Sequence, residues 1–308
     1  KDHCTPGGSY DTGLDLCKSV YGYEGPVKVA YEWLRLGDND MKTSKGIVFT
    51  PSHFLELADP EIIRMIIYQT NPNKHISIRI EELEQYYNEL DRIEKIYFGI
   101  EKPTNPDEGH EIKYIFPLIY PYEMPKFYQK KIPFKMYLIL SQLESVLGEK
   151  GIYDKAITYM EKEGFQTIIS KEKFSKQIER ARNWINEIKL MIQAEKNMEE
   201  RKKLEQKVIL FSIPTQILPE IKKQFDENIR SSLNYFLKAI QKIEGLSEEE
   251  IKRIMMDIQT NLNLKPNKIF QGFYLVFLGE KTGPRLGPLL NMLDKAWIEN
   301  RLKEALNQ

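Results

Sequence analysis

The reading of the fold turns on Met41-Lys42-Thr43-Ser44-Lys45-Gly46, which runs into Ile47-Val48-Phe49-Thr50-Pro51. It is a polar loop with two lysines, closed by a glycine and followed by an apolar run. A lysine held in such a loop can neutralise the charge that builds on a phosphate during in-line displacement. The same residues also suit a solvated surface turn. Upstream lies Lys1-Asp2-His3-Cys4-Thr5-Pro6-Gly7-Gly8-Ser9-Tyr10-Asp11-Thr12, a glycine turn crowded with donors and acceptors. Gly7-Gly8 permits positive φ and close backbone approach. Together the two stretches suggest nucleotide chemistry and a chain that begins partway through a domain.

Around the loop, the partial alternation of Val27 to Leu36 predicts a strand, and Gly37-Asp38-Asn39-Asp40 predicts a hairpin turn or loop entrance. Ser52 is the expected cap of a short helix ending at Leu57. These features make residues 1 to about 58 an α/β unit with the loop at its edge. From Asp59-Pro60-Glu61 onward the pattern becomes helical, with Ile62, Ile63, Ile66 and Ile67 on one face. A long helix over 79–98 carries Leu83, Tyr86, Tyr87, Leu90, Ile93 and Tyr97 as its stripe. Pro103 to Gly109 reads as a linker, so the predicted domains are residues 1–102 and 103–308. Residues 112–133, with four prolines, read as ordered but irregular. Beyond them Phe174, Ile178, Ala181, Ile185, Ile188 and Ile192 recur at 4-3-4-3-4 spacing, the seam of a helix bundle. Ser247-Glu248-Glu249-Glu250 is a capping box, and Phe270 to Leu278 is a strongly apolar helix.

Composition narrows the function classes. In 308 residues Lys+Arg equals Asp+Glu at 45 each, which argues against a polycationic nucleic-acid coat but leaves room for a local basic face. The two cysteines, Cys4 and Cys17, cannot form a disulfide scaffold. With His3 they make a poor metal set, so no structural zinc is expected. No apolar run reaches the length of a membrane span and no signal peptide is visible, so a cytoplasmic location is the expectation.

The motifs resemble those of the class I lysyl-tRNA synthetases of archaeal type. The resemblance rests on Lys1-Asp2-His3 with Gly7 to Thr12, on the lysine loop followed by Pro51 and Leu55-Glu56, and on Asp59 to Arg64. It continues through Pro72-Asn73-Lys74 and Leu90 to Gly99, and returns at Tyr274 to Gly279 and Gly283 to Gly287. It implies a mainly α protein: the remnant of a Rossmann-type catalytic domain, then a helical-cage anticodon-binding domain. It also implies ATP-dependent activation of lysine to lysyl-adenylate and transfer to the 3′ end of tRNA(Lys), with Mg2+ arriving as part of the ATP complex.

By the same resemblance Asp2 and His3 would line the lysine and adenosine pocket, with Gly7, Gly8 and Ser9 as its wall, Asp11 nearby and Tyr31 in the aromatic lining. Met41, Ser44 and Lys45 would form the mobile loop, with Lys45 facing the phosphates. Two positions depart from the family pattern: Asp40 stands where the first loop lysine is expected, and Lys42 where a serine is, so Lys42 is a possible compensating cation. The His-Ile-Gly-His element would lie upstream of residue 1, so the chain alone is expected to be inactive without that half of the catalytic domain. Lys126, Lys130, Lys131 and Lys135, interleaved with Phe127, Tyr128, Phe134 and Tyr137, are the candidate tRNA-binding residues, or else a snorkelling lysine face over a helical core. The competing readings are a degenerate relative that binds tRNA without charging it, a glutamyl-type class I enzyme, and a purely structural helical scaffold.

Overall fold

The computed structural model describes residues 2–37, 39–40, 49–120, 122–208 and 210–307. The predicted loop residues Met41, Lys42, Ser44 and Lys45 lie outside the described residues. Contacts divide the chain into two compact units, Lys1–Phe134 and Lys135–Gln308. This packing division falls later than the boundary expected after residue 102.

The first unit begins with a 3₁₀ turn, Asp2–Cys4, and helix α1, Ser9–Leu16. Strands β1 (Leu34–Leu36) and β2 (Asn39–Asp40) follow, then α2 (Pro51–Leu57), α3 (Pro60–Gln69), β3 (Ile76–Ile78), α4 (Leu83–Tyr97) and α5 (Pro106–Ile119). The sheet order is β2-β1-β3. β1 runs parallel to β3, with Leu34 opposite Ile76 and Leu36 opposite Ile78, and antiparallel to β2, with Leu36 opposite Asn39. The predicted hairpin turn is therefore present, and Gly37 supplies its positive φ of 58°. The predicted strand over 27–36 shrinks to three residues. Val27 is 88% exposed, and a strand forms only where a neighbour completes the ladder.

The cap of α2 also differs from expectation. Thr50, not Ser52, accepts the hydrogen bond from the His53 amide at 3.2 Å. Pro51 occupies the first helical position, where its missing N–H costs nothing. On α3 the buried residues are Ile62, Met65 and Ile66, while Ile67 faces solvent. The expected linker is instead a helix start: Asn105 accepts from the Glu108 amide at 2.9 Å. Arg92 on α4 then donates to Glu108 at 2.7 Å. The resulting α5 packs on α3 and α4, with Phe116 and Ile119 fully buried and Tyr97 stacked on Phe116 at 4.1 Å. It runs through Pro117 to Ile119, so the first third of the segment expected to be irregular is helical.

The second unit is helical among its described residues. Its elements are α6 (Phe134–Lys162, kinked at Gly148, φ 68°), α7 (Lys171–Ala194), α8 (Met198–Lys207), α9 (Pro219–Lys222), α10 (Glu227–Ile240), α11 (Glu248–Leu262), α12 (Pro266–Leu278), α13 (Leu286–Met292) and α14 (Lys295–Leu306). Every residue of the predicted α7 seam is buried, and Trp184 is buried with them. The capping box at Ser247 forms as expected, with both of its hydrogen bonds present. α10 is the hub of the C-terminal bundle, packing on α11, α12 and α14. Gly272 makes the α10–α12 approach possible, since a Cβ there would stand 2.9 Å from Ile229 Cγ2. Phe236 and Phe273 meet edge to face at 5.0 Å in this core.

α14 is tied down by polar groups. Buried Arg301 donates to the carbonyls of Pro214 and Thr215, and to Glu304 at 3.0 Å. Glu304 in turn accepts from the Ile217 amide at 2.7 Å. Burial raises the Glu304 pKa, but the Ile217 amide and Arg301 outweigh it, so the carboxyl titrates below its usual range. Such a group stabilises the fold at any pH above the ordinary glutamate value, and the contribution is lost as pH falls through the depressed one. Urea unfolding followed by Trp fluorescence between pH 7 and 3 should show an acid loss of stability that is smaller in Glu304→Gln.

Candidate functional site

The glycine corner is built by local hydrogen bonds. The Thr5 amide and hydroxyl both donate to the Asp2 carbonyl, the hydroxyl at 2.8 Å. The Gly8 amide donates to Thr5 O at 2.8 Å. Gly7 adopts φ 76°, and its amide donates to Asp11 Oδ2 at 2.9 Å. Gly8 is required for a steric reason: a Cβ there would lie 2.9 Å from both the His3 and Thr5 carbonyl oxygens. These contacts bring His3 Nδ1 to 2.9 Å from Ser9 Oγ at the start of α1.

The structure thus brings Asp2, His3, Gly7, Gly8, Ser9 and Asp11 together in one corner. Lys28 closes its back, donating to the Cys4 carbonyl at 2.7 Å with its ammonium 5.5 Å from the Tyr10 ring. The Lys28 contact spans 24 residues and has no local sequence signal. Tyr31 lies further along the chain and is 66% exposed. None of residues 2–37 is buried. Leu16, Val20, Tyr21, Tyr23, Val29 and Trp33 are all more than half exposed. Such a density of exposed apolar groups is the mark of an interaction face. Among the described residues no group of three or more His, Cys, Asp or Glu could hold a metal ion. No helix among them is long and apolar enough to cross a membrane.

The lysines chosen as tRNA ligands are not equivalent. The Lys131 ammonium sits 2.5 Å from Glu94 Oε2, and Glu94 is 1% exposed. Tyr120 donates to the other Glu94 oxygen at 2.5 Å. Burial, reinforced by the Glu94 carboxylate, raises the Tyr120 pKa so far that the phenol stays protonated. Tyr128 donates to Asp91 at 3.0 Å, and Lys95 pairs with the same carboxylate at 2.6 Å. Glu94 and Asp91 are one turn apart at i, i+3 on α4, so Tyr120, Tyr128 and Lys131 are strapped to that helix. Lys126, Lys130 and Lys135 are exposed. The buried Glu94 was not foreseen, because an acid in a Glu-rich helix carries no signal of burial.

A second feature lies in the C-terminal bundle. A cavity of about 580 Å3 opens between α11, α12 and the start of α13. It includes Arg285 to Gly287, part of a motif that the resemblance singled out, and Pro288.

Two segments of the chain match known families. Residues 1–117 match the family of class I (K) tRNA synthetases, and residues 172–306 match an anticodon-binding domain. The chain is similar to the lysine–tRNA ligase of Aeropyrum pernix, 28% identical over 100% of this chain and 54% of the relative. It is 30% identical to those of Thermococcus kodakarensis and Pyrococcus horikoshii, over 98% of this chain and 54% of each relative. The chain thus spans about half the length of the curated relatives it matches.

Three substitutions separate the roles of these groups. Gly8→Ala should strain the corner by about 1–3 kcal/mol, read as faster amide exchange at Gly7 and Gly8. Lys131→Ala should lower stability by about 1–3 kcal/mol, below the usual cost of breaking a buried pair because the lysine is 45% exposed. Lys126→Ala should change it by no more than about 0.5 kcal/mol.

Proposed function

We propose that this chain, whose two matched segments belong to the class I (K) tRNA synthetases and to the anticodon-binding domains, works in charging tRNA(Lys) with lysine. One observation carries the reading: the Asp2–Asp11 corner, within the class I segment, precedes a helical anticodon-binding domain in the same chain. In the proposed reaction the lysine carboxylate attacks the α-phosphorus of ATP, pyrophosphate leaves, and the 3′-terminal ribose hydroxyl of the tRNA then takes the lysyl group and releases AMP. Mg2+ enters with ATP as part of that substrate.

The residues divide the work. Asp2 and His3 face the lysine and the adenosine, with His3 oriented by Ser9. Gly7 and Gly8 let the backbone approach the nucleotide, and Asp11 holds the Gly7 amide in place. Tyr31, two-thirds exposed, contributes aromatic surface to the lysine pocket. Lys45 stabilises charge developing on the phosphates, aided by Ser44 and Lys42 in the loop that Met41 opens. Outside the catalytic corner, Lys126, Lys130 and Lys135 contact tRNA phosphates, while Lys131 serves the strap. We place the protein in the cytoplasm with its tRNA.

The exposed apolar face of residues 16–33 supports a further part of the reading. It is where the rest of a catalytic domain, bearing the His-Ile-Gly-His element, packs to complete the active site. Activity therefore needs that half. A tRNA-binding relative that does no charging is the second reading, favoured by Asp40 and Lys42 in the loop.

Lysine-dependent exchange of pyrophosphate into ATP decides between the two. A protein in which this chain is joined to that half should catalyse it, whereas the isolated chain should not. Lys45→Ala in the joined protein should raise the adenylation barrier by about 1–3 kcal/mol with little change in lysine binding. Absence of exchange with any amino acid would leave only the binding reading.

A further inference from the structure

The cavity in the C-terminal bundle follows the length of α11. Its lining on that helix runs from Glu248 to Gln259, about three turns or roughly 16 Å. The floor is apolar and well packed, with Met255, Ile269 and Leu286 all buried. At the mouth folding leaves two large groups wet: Met256 is 59% exposed and Phe270 is 36% exposed. One wall is the turn leading into α13, and that turn is rigidly placed. Tyr274 donates from its hydroxyl to the Pro284 carbonyl at 2.6 Å. Gly283 fits so tightly that a Cβ would lie 2.4 Å from Leu278 Cδ1 and 3.0 Å from the Tyr274 ring. Arg285 is therefore carried to the groove on a fixed backbone.

The charges at the rim distinguish among occupants. Lys252 and Arg285 line the groove and are exposed. Lys265 and Lys268 lie exposed on the turn that enters α12. Among the described residues none of these four side chains makes an ion pair, although Glu248 stands at i, i+4 from Lys252. Other cations of this chain are committed to carboxylates: Arg92 to Glu108, Lys131 to Glu94 and Arg301 to Glu304. An amphipathic helix with acidic flanks uses all of these features at once. Such a helix lays apolar anchors at i, i+4 and i+7 into a groove. Methionine, unbranched and polarisable, adapts to those anchors. The flanking acids meet the unpaired cations. A compact small molecule would leave much of the groove's length empty. Nucleic acid fits less well, because Glu248 and Glu249, exposed at the head of α11, repel successive phosphates.

We infer that this groove docks an acidic amphipathic helix of a protein partner, with its apolar stripe on Met255, Met256 and Phe270 and its carboxylates on Lys252 and Arg285. The inference goes beyond the proposed charging reaction and does not depend on it.

The test titrates the full chain, carrying methyl-labelled methionine, with two synthetic helical peptides. Both have leucines at i, i+4 and i+7; one has glutamates beside them and the other lysines. The acidic peptide should shift the Met255 and Met256 methyl signals saturably and bind roughly tenfold more tightly than the lysine peptide, as two rim charge contacts allow. The preference should narrow as salt is raised. Lys252→Gln combined with Arg285→Gln should remove the preference. Met256→Asp should weaken the acidic peptide about tenfold or more, and because Met256 is exposed the melting temperature should not change. The inference is overturned if the acidic peptide gives no saturable shift of these signals, or if the two peptides bind equally well. It is overturned too if the preference survives in the double variant, or if Met256→Asp binds as the unaltered chain does. A single-stranded RNA that displaces the acidic peptide from both methionines would assign the groove to nucleic acid and overturn the inference as well.

Discussion

Each helix of this chain ends on carbonyl groups that have no partner within the helix. Buried carbonyls without partners are costly, and the packing of both units depends on long side chains that reach them. In the first unit Arg64 of α3 donates to the Leu118 and Ile119 carbonyls at the end of α5. In the second, Arg301 of α14 serves Pro214 and Thr215. Lys295 reaches the Ile243 carbonyl and Lys222 the Glu304 carbonyl. Within each unit these contacts fix where one element ends against another. They also explain why many cations in a chain of zero net charge are committed to structure rather than displayed to a partner.

The same economy governs the charged strap on α4. Glu94 is buried where a sequence reader expects a solvated acid, and it claims Lys131, which the basic-aromatic pattern offers as a nucleic-acid ligand. Side-chain length lets a lysine look identical in sequence whether it faces a phosphate or a buried carboxylate. Only the three-dimensional neighbourhood separates Lys131 from Lys126.

What was legible follows from how local the cause is. The α7 seam, the Ser247 box and the α12 core helix are set by periodicity and neighbouring residues, and all three stand as read. The glycine corner was legible as a cluster, because its hydrogen bonds span only three to six residues. The strand over 27–36 was overextended because pairing, not propensity, decides its length. The linker at Pro103 was misread because Pro106 starts a helix rather than breaking one. Its anchor, Arg92, lies 16 residues away from Glu108. The cavity was invisible in sequence, since Met255, Phe270 and Arg285 come from three segments that meet only in the folded bundle.

The complete lack of buried residues between 2 and 37 has a thermodynamic consequence. Cooperative melting and a large heat-capacity change both come from removing apolar surface from water. A corner held chiefly by hydrogen bonds has little of either. It loosens gradually on warming, ahead of the cores around Phe116 and Phe236. Its sharpness as a binding surface is therefore conferred by whatever covers it rather than inherited from its own fold.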